Sequence, residues 1–120
     1  MINAPQSEFE ASIGYRFKNP ELLTEALCHS SFANEKRGAL HCNERLEFLG
    51  DSVLSIVVST YLFTNCQHLP EGDLTKIRAG LVCERSLYEW AEQIGLGAYL
   101  LLGHGEEQSG GRKRPSILAD

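Results

Sequence analysis

Apolar residues recur along this chain at spacings of three and four, broken by short polar or glycine-bearing stretches, and this rhythm predicts helix after helix. Asn19-Pro20-Glu21 is a helix start: Asn as cap, Pro at the first helical position and an acid in the first turn. Leu22, Leu23, Ala26 and Leu27 give that short helix its apolar side. Residues 33–42 are polar, contain a glycine and read as a loop. Asn43 then caps a long helix running to about Asn65. Pro70-Glu71-Gly72-Asp73 reads as a turn, with Asp73 capping a helix through about Val82. Another helix covers roughly 84–94 and is stopped by Gly95 and Gly97. Residues 103–114 form a polar, glycine-rich loop, and Pro115 opens a last helix over 116–120. So short a helix does not offset its own nucleation cost, so the chain reads as part of a longer protein.

The long helix carries the informative pattern. At about 100° per residue, with Glu44 at zero, Glu47 lies near 300° and Asp51 near 340°, so the three carboxylates fall within about 60° on one face. Leu46, Leu49, Val53, Ile56 and Val57 cluster on the opposite side and are expected to form the core stripe. One turn further on the acid face becomes apolar, at Val58 and Leu62, which predicts a helix covered on both sides. Half-buried acids repel one another, and burial disfavours their charged forms. Arg45, the one cation nearby, points about 100° away. A divalent cation is the other remedy. Carboxylates one turn apart suit Mg²⁺, which keeps several waters and shares its remaining positions with phosphate oxygens. A merely solvated acidic face fits the same pattern. Phe48, near 40°, lies off the core stripe beside the acids, either at an interface or tucked under the neighbouring loop.

Composition narrows the classes. With 120 residues the chain is one domain or part of one. A hydrophobic fraction of 42% supports a core and excludes disorder as the dominant state. Residues 53–63, the most apolar stretch, are broken by Ser55, Ser59 and Thr60 and are expected to fall short of a membrane crossing. The N-terminus lacks the basic start and apolar run of a signal peptide, so a cytoplasmic location with no membrane contact is expected. The net charge of −5 argues mildly against a stand-alone nucleic-acid binder, although cations can recharge an acidic cleft. Cys28, Cys42, Cys66 and Cys83 form no C-x-x-C pair. Reduced thiols are the plain reading, and zinc held through Cys28-His29 and His41-Cys42 is the other.

The segment Asn43-Glu44-Arg45-Leu46-Glu47-Phe48-Leu49-Gly50-Asp51-Ser52 resembles the signature of the ribonuclease III family almost letter for letter. The likeness continues in family order. Leu27-Cys28-His29-Ser30-Ser31 resembles the family's His-x-Ser stretch, and residues 71–79 (EGDLTKIRA) its E-G-D-[LM]-[ST]-x-x-R-A segment. Gly103-x-Gly105-Glu106, Ser109-Gly110-Gly111 and Ser116-Ile117-Leu118-Ala119-Asp120 resemble its second acidic motif, and the chain from about Phe9 is covered. The resemblance implies an all-α ribonuclease III-type endonuclease domain over 1–120, incomplete at its C-terminal end. It implies a homodimer that hydrolyses double-stranded RNA with Mg²⁺ (Mn²⁺ as substitute), leaving 5′-phosphate and 3′-hydroxyl ends, in ribosomal and messenger RNA processing.

Carried over by position, the resemblance makes Glu47 and Asp120 metal ligands and Asp51 a catalytic acid of the same site. It makes Glu44 an outer acid engaged with partner or RNA, Phe48 a residue inserted into the partner subunit, and Glu71 an acid reaching toward the partner's catalytic valley. The family pattern continues Asp-x-x-Glu, whereas the sequence stops at Asp120; the Glu, the remaining helices and any double-stranded-RNA-binding domain are absent from it. Arg112-Lys113-Arg114 just before Asp120 is either a phosphate-contacting cluster, through Arg112 and Arg114, or a solvated charge run. The histidines lie outside the acid motifs; His29 is expected to be a hydrogen-bonded structural residue. A catalytically incompetent RNA-binding or dimerisation module on the same helices is the rival reading.

Overall fold

The computed structural model describes residues 5–38 and 40–120. Its helices run in the order α1 (Gln6–Ile13), α2 (Pro20–Leu27), α3 (Ser30–Glu35), α4 (Glu44–Asn65), α5 (Glu71–Leu81), α6 (Glu84–Gln93), α7 (His104–Gln108) and α8 (Pro115–Ala119). Single 3₁₀ turns lie at Leu96–Tyr99 and Gly111–Lys113. Among the described residues there is no strand, only a parallel bridge between Cys28 and Leu101. The all-α expectation therefore holds.

Several local expectations change. Asn19 caps α2 as read, its side chain accepting the Glu21 N–H at 3.1 Å. Asn43 occupies the position before α4, but its amide does not cap the helix. It donates instead to the Ala26 carbonyl at 3.2 Å, while its backbone N–H donates to the Cys28 carbonyl at 2.9 Å, lashing the root of α4 to the end of α2. α5 starts at Glu71, so Asp73 lies in its first turn instead of capping it. The loop expected over 33–42 loses its first residues to α3, which is capped by the His29 ring accepting the Ser31 N–H at 3.1 Å. The loop expected over 103–114 contains α7 and a 3₁₀ turn.

The core is built from both ends of the chain. Phe9 of α1, Leu23 and Leu27 of α2, Ala91 of α6, Leu100 and Leu102, and Ile117 and Leu118 of α8 pack as one buried cluster. Pro115 at the first position of α8 starts a helix short in length but held by burial of Ile117 and Leu118.

α4 is oriented opposite to expectation. Of the stripe read as core, Leu46 is half-buried beside the acid cleft and the rest is exposed: Leu49 at 59%, Val53 at 52%, Ile56 at 63% and Val57 at 59%. Leu62, on the apolar continuation of the acid face, is the buried residue of this helix, and Leu54 and Val58 beside it are half-buried. Helical phase ranks the sides of a helix by polarity but does not say what lies across from each; here α2 and α5 pack against α4, and Ala26, Ala119 and Asp120 line the cleft beside its acids. α4 also corrects the membrane reading. At 22 residues, with mean hydropathy 1.4 over its most apolar window, it is long and apolar enough for a crossing by length and composition, although Glu44, Glu47 and Asp51 occupy its first half.

Candidate active site

Glu47 and Asp51 project from successive turns of the inward side of α4, and α8 delivers Asp120 to the same place. A cleft of about 260 Å³ is lined by Asn43, Glu47, Asp51, Leu54, Leu87 and Asp120 among others, with no Lys or Arg in its wall. The i, i+4 spacing that phase geometry gave for two of these acids is thus completed by a residue 69 positions further along (120 − 51).

The electrostatics of the cleft are those of uncompensated carboxylates. Burial pushes the Glu47 carboxyl above its ordinary pKa, and the charges of Asp120, Asp51 and Glu44 push it further. Asp120 is also raised, first by burial and then by Glu84, with His29 opposing and Asp51 adding to the rise. Glu44 itself is exposed in the first turn of α4. Glu84 and His29 are participants that the sequence pattern did not single out for the site. Glu84 is the first residue of α6 and is brought in only by the packing of α6 on α8. His29 matches its structural reading: Nδ1 lies 2.8 Å from Ser31 Oγ as well as accepting the Ser31 N–H.

The donors suit a hard divalent cation. They are carboxylates in an electronegative recess with no cationic side chain in its lining. Among the described residues no three His, Cys, Asp or Glu side chains converge tightly enough to hold a metal by themselves. No such group forms at Cys28-His29 and His41-Cys42 among the described residues, and the four cysteines are free of disulfides.

The other expected site residues are dispersed. Phe48 is 80% exposed and faces away from the cleft, lining a broad recess of about 960 Å³ with His41, Cys42, Arg45 and Leu49. Glu71 lies in a separate groove of about 450 Å³ between α4 and α5, where Arg78 donates to Ser59 Oγ at 2.9 Å. Arg112 and Arg114 have partners within the chain. Arg112 Nε donates to both carboxylate oxygens of Glu107 at 2.8 Å, and Nη1 donates to the carbonyls of Gly97 and Leu100 at 2.9 and 2.7 Å. Arg114 pairs with Glu106, whose carboxyl that hydrogen bond holds below its ordinary pKa. These guanidiniums brace the turns that carry α8, so they are not a solvated charge run. Lys113 alone of the three is exposed.

Comparison with known proteins agrees with this geometry. The profile of the ribonuclease-III-like family matches residues 19–120. Ribonuclease 3 of Geobacillus kaustophilus is 54% identical over 114 residues, which is 94% of this chain and 46% of that protein. Ribonuclease 3 of Caldanaerobacter subterraneus is 58% identical over 111 residues, covering 92% of this chain and 49% of that protein. The chain spans about half the length of the curated relatives it matches. Among solved structures, the nuclease domain of ribonuclease III from Campylobacter jejuni superposes with a TM-score of 0.87 at 44% identity, covering 96% of this chain and 77% of that one. That structure is described for flexibility in the region involved in dimer formation. A second structure of the same domain gives a TM-score of 0.84 at 45% identity, over 94% and 74% of the two chains.

Proposed function

This chain belongs to the ribonuclease-III-like family, and we propose that it forms the nuclease portion of a Mg²⁺-dependent endonuclease that hydrolyses double-stranded RNA. The observation that carries this reading is the meeting of Glu47, Asp51 and Asp120 in one cleft with no cationic side chain in its wall. A retired site has no physical reason to keep mutually repelling acids together. In this reading Glu47 and Asp120 hold the cation, and Mn²⁺ substitutes for Mg²⁺. When bound, the ion supplies charge relief at a phosphodiester and a lowered pKa for water. Asp51, one turn below Glu47, orients the attacking water and receives its proton at a carboxylate oxygen. Glu44, in the recess beside Phe48, engages partner or RNA, and Glu71 extends toward the partner subunit's valley. The products are 5′-phosphate and 3′-hydroxyl ends. The enzyme works as a homodimer in the cytoplasm, on ribosomal and messenger RNA precursors.

Asp51→Asn in the protein at its full natural length tests the assignment, because it removes a charge and keeps the shape. Cleavage of a perfect RNA duplex should fall by roughly 10²-fold or more, while duplex binding measured by filter retention stays near that of the parent. Near-normal Mg²⁺-dependent cleavage by the variant would sink the reading. The rival, an incompetent RNA-binding module, draws on the lack of a three-ligand cluster among the described residues. It requires that the parent protein bind the duplex without cutting it.

A further inference from the structure

Cys28 and Cys42 are fourteen positions apart in sequence (42 − 28), and the fold sets them on adjoining stretches of backbone. Cys28 is the joint between α2 and α3 and is wholly buried. On one side it is clamped by Leu101, whose N–H donates to the Leu27 carbonyl at 2.9 Å and whose carbonyl accepts the His29 N–H at 3.0 Å. On the other side its carbonyl accepts the Asn43 N–H at 2.9 Å, from the peptide unit that joins Cys42 to Asn43. The Asn43 amide reaching the Ala26 carbonyl is a second tie between the same stretches. This one bond brings the Cys42–Asn43 peptide unit against Cys28 itself, and a disulfide needs the two Cα atoms within about 4.4–6.8 Å.

The two thiols also sense each other. After burial, the charge of Cys42 is the next cause that raises the Cys28 thiol pKa. Their accessibilities differ. Cys42 is partly exposed and lines the broad recess beside Phe48, whereas Cys28 lies under a smaller cavity of about 330 Å³ shared with Leu40 and His41. Cys66 and Cys83 are placed otherwise. They follow α4 and α5 at opposite ends of the eleven-residue α5, which is about 16 Å long, so they cannot bridge to each other.

We propose that Cys28 and Cys42 are a redox-modifiable pair that closes to a disulfide under hydroperoxide, clipping the root of α4 to the α2–α3 joint. Of the pair, Cys42 reacts first, being the more accessible thiol. Its sulfur attacks hydrogen peroxide, the O–O bond breaks, and Cys42 sulfenic acid and one water result. The Cys28 sulfur then attacks the Cys42 sulfur; the S–S bond forms, the S–O bond breaks, and the Cys28 thiol proton leaves with the hydroxyl as a second water. Two electrons pass from the thiols to the peroxide, and a thiol reductant reverses the change by exchange.

The test uses the reduced, folded protein treated with hydrogen peroxide, alkylated before unfolding and digested with trypsin. The expected product is a single species joining residues 19–36 to residues 38–45, two hydrogens lighter than their sum and separated by dithiothreitol. Cys66 and Cys83 should enter no such link, whatever their own oxidation. In Cys28→Ser the link should vanish and dimedone should trap a sulfenic acid at Cys42. In Cys66→Ser and Cys83→Ser the link should persist. Should Cys28→Ser fail to fold, the map of the unsubstituted protein decides alone. Absence of the linked species, a link through Cys66 or Cys83, or a link between two copies on a non-reducing gel would each overturn the proposal.

Discussion

At Gly103 an added methyl group would sit 2.6 Å from a carboxylate oxygen of Glu35 and 2.7 Å from the Ser31 carbonyl. Neither neighbour is free to yield. Ser31 Oγ accepts the Gly103 N–H at 2.9 Å, and Glu35 accepts the N–H of His104. Gly103→Ala should therefore destabilise the fold by about 1–3 kcal/mol, read as a lower urea midpoint with an unchanged slope. A midpoint equal to that of the parent would contradict the close approach. The acids of the cleft make a prediction of opposite character. Burial and like charges raise the Glu47 and Asp120 carboxyls. The stability tied to them is therefore full below the ordinary carboxyl range, and it is lost as pH rises through their elevated pKa values. Glu47→Gln cannot ionise. Its melting temperature should gain on that of the parent as pH climbs from about 4 to 7, and Mg²⁺ should raise the parent more than the variant at the upper end. A difference that stays flat with pH in scanning fluorimetry would show that the acids do not share a field. The pairing of Glu47 with Asp51 is legible in the sequence because helical phase depends only on counting residues. Glu84 and His29 are not, since only the packing of α6 and α3 brings them to the cleft. The ion pairs of Arg112 and Arg114 are not legible from sequence because a run of charges does not name its partners, and Glu106 and Glu107 lie too near in sequence to suggest ion pairs across a turn.

α4 divides into two unlike faces at the scale of the element. The inward face holds the acids and then Leu54, Val58 and Leu62; the outward face presents Leu49, Val53, Ile56 and Val57, flanked by the exposed rings of Phe48, Tyr61 and Phe63. So much contiguous apolar surface on one helix marks a place of association. Phe48 separates association from folding cleanly. Being 80% exposed, it should cost the fold no more than about 0.5 kcal/mol when cut to Ala. If it anchors a homodimer its loss should weaken self-association roughly tenfold or more. Sedimentation equilibrium beside urea unfolding measures both, and an unchanged dimerisation constant would remove Phe48 from the interface. Helices whose starts carry an Asn cap or a Pro at the first position, as in α2 and α8, are legible from the order of residues alone. α1, α3 and α7 are not: their caps are Pro5, His29 and Gly103, without a side-chain bond in the first and last cases, and each is too short to show periodicity.

The whole molecule is longer than it is wide, with extents of 50 × 30 × 25 Å. Its radius of gyration of 16.1 Å exceeds the roughly 14 Å of a compact chain of this length. α4 and α5 extend away from the end where the core sits, and the acid cleft lies at the junction. The all-α class is legible from spacing alone, whereas this division between a packed end and a projecting pair is not, because it depends on which face of α4 finds neighbours. The core has a further property: it joins Phe9 to Leu118. A ribosome emits one end of that contact long before the other. At about 5–20 residues per second, the 109 residues from Phe9 to Leu118 (118 − 9) take roughly 5–20 s to make. For the last 53 of these residues (118 − 65) the nascent chain also carries the whole of α4, its most apolar helix, with no completed core beside it. Chaperones that hold apolar segments during translation have their longest access to Phe9, Leu23 and Leu27 then, and the arrival of Ile117 and Leu118 on α8 is the event that buries them.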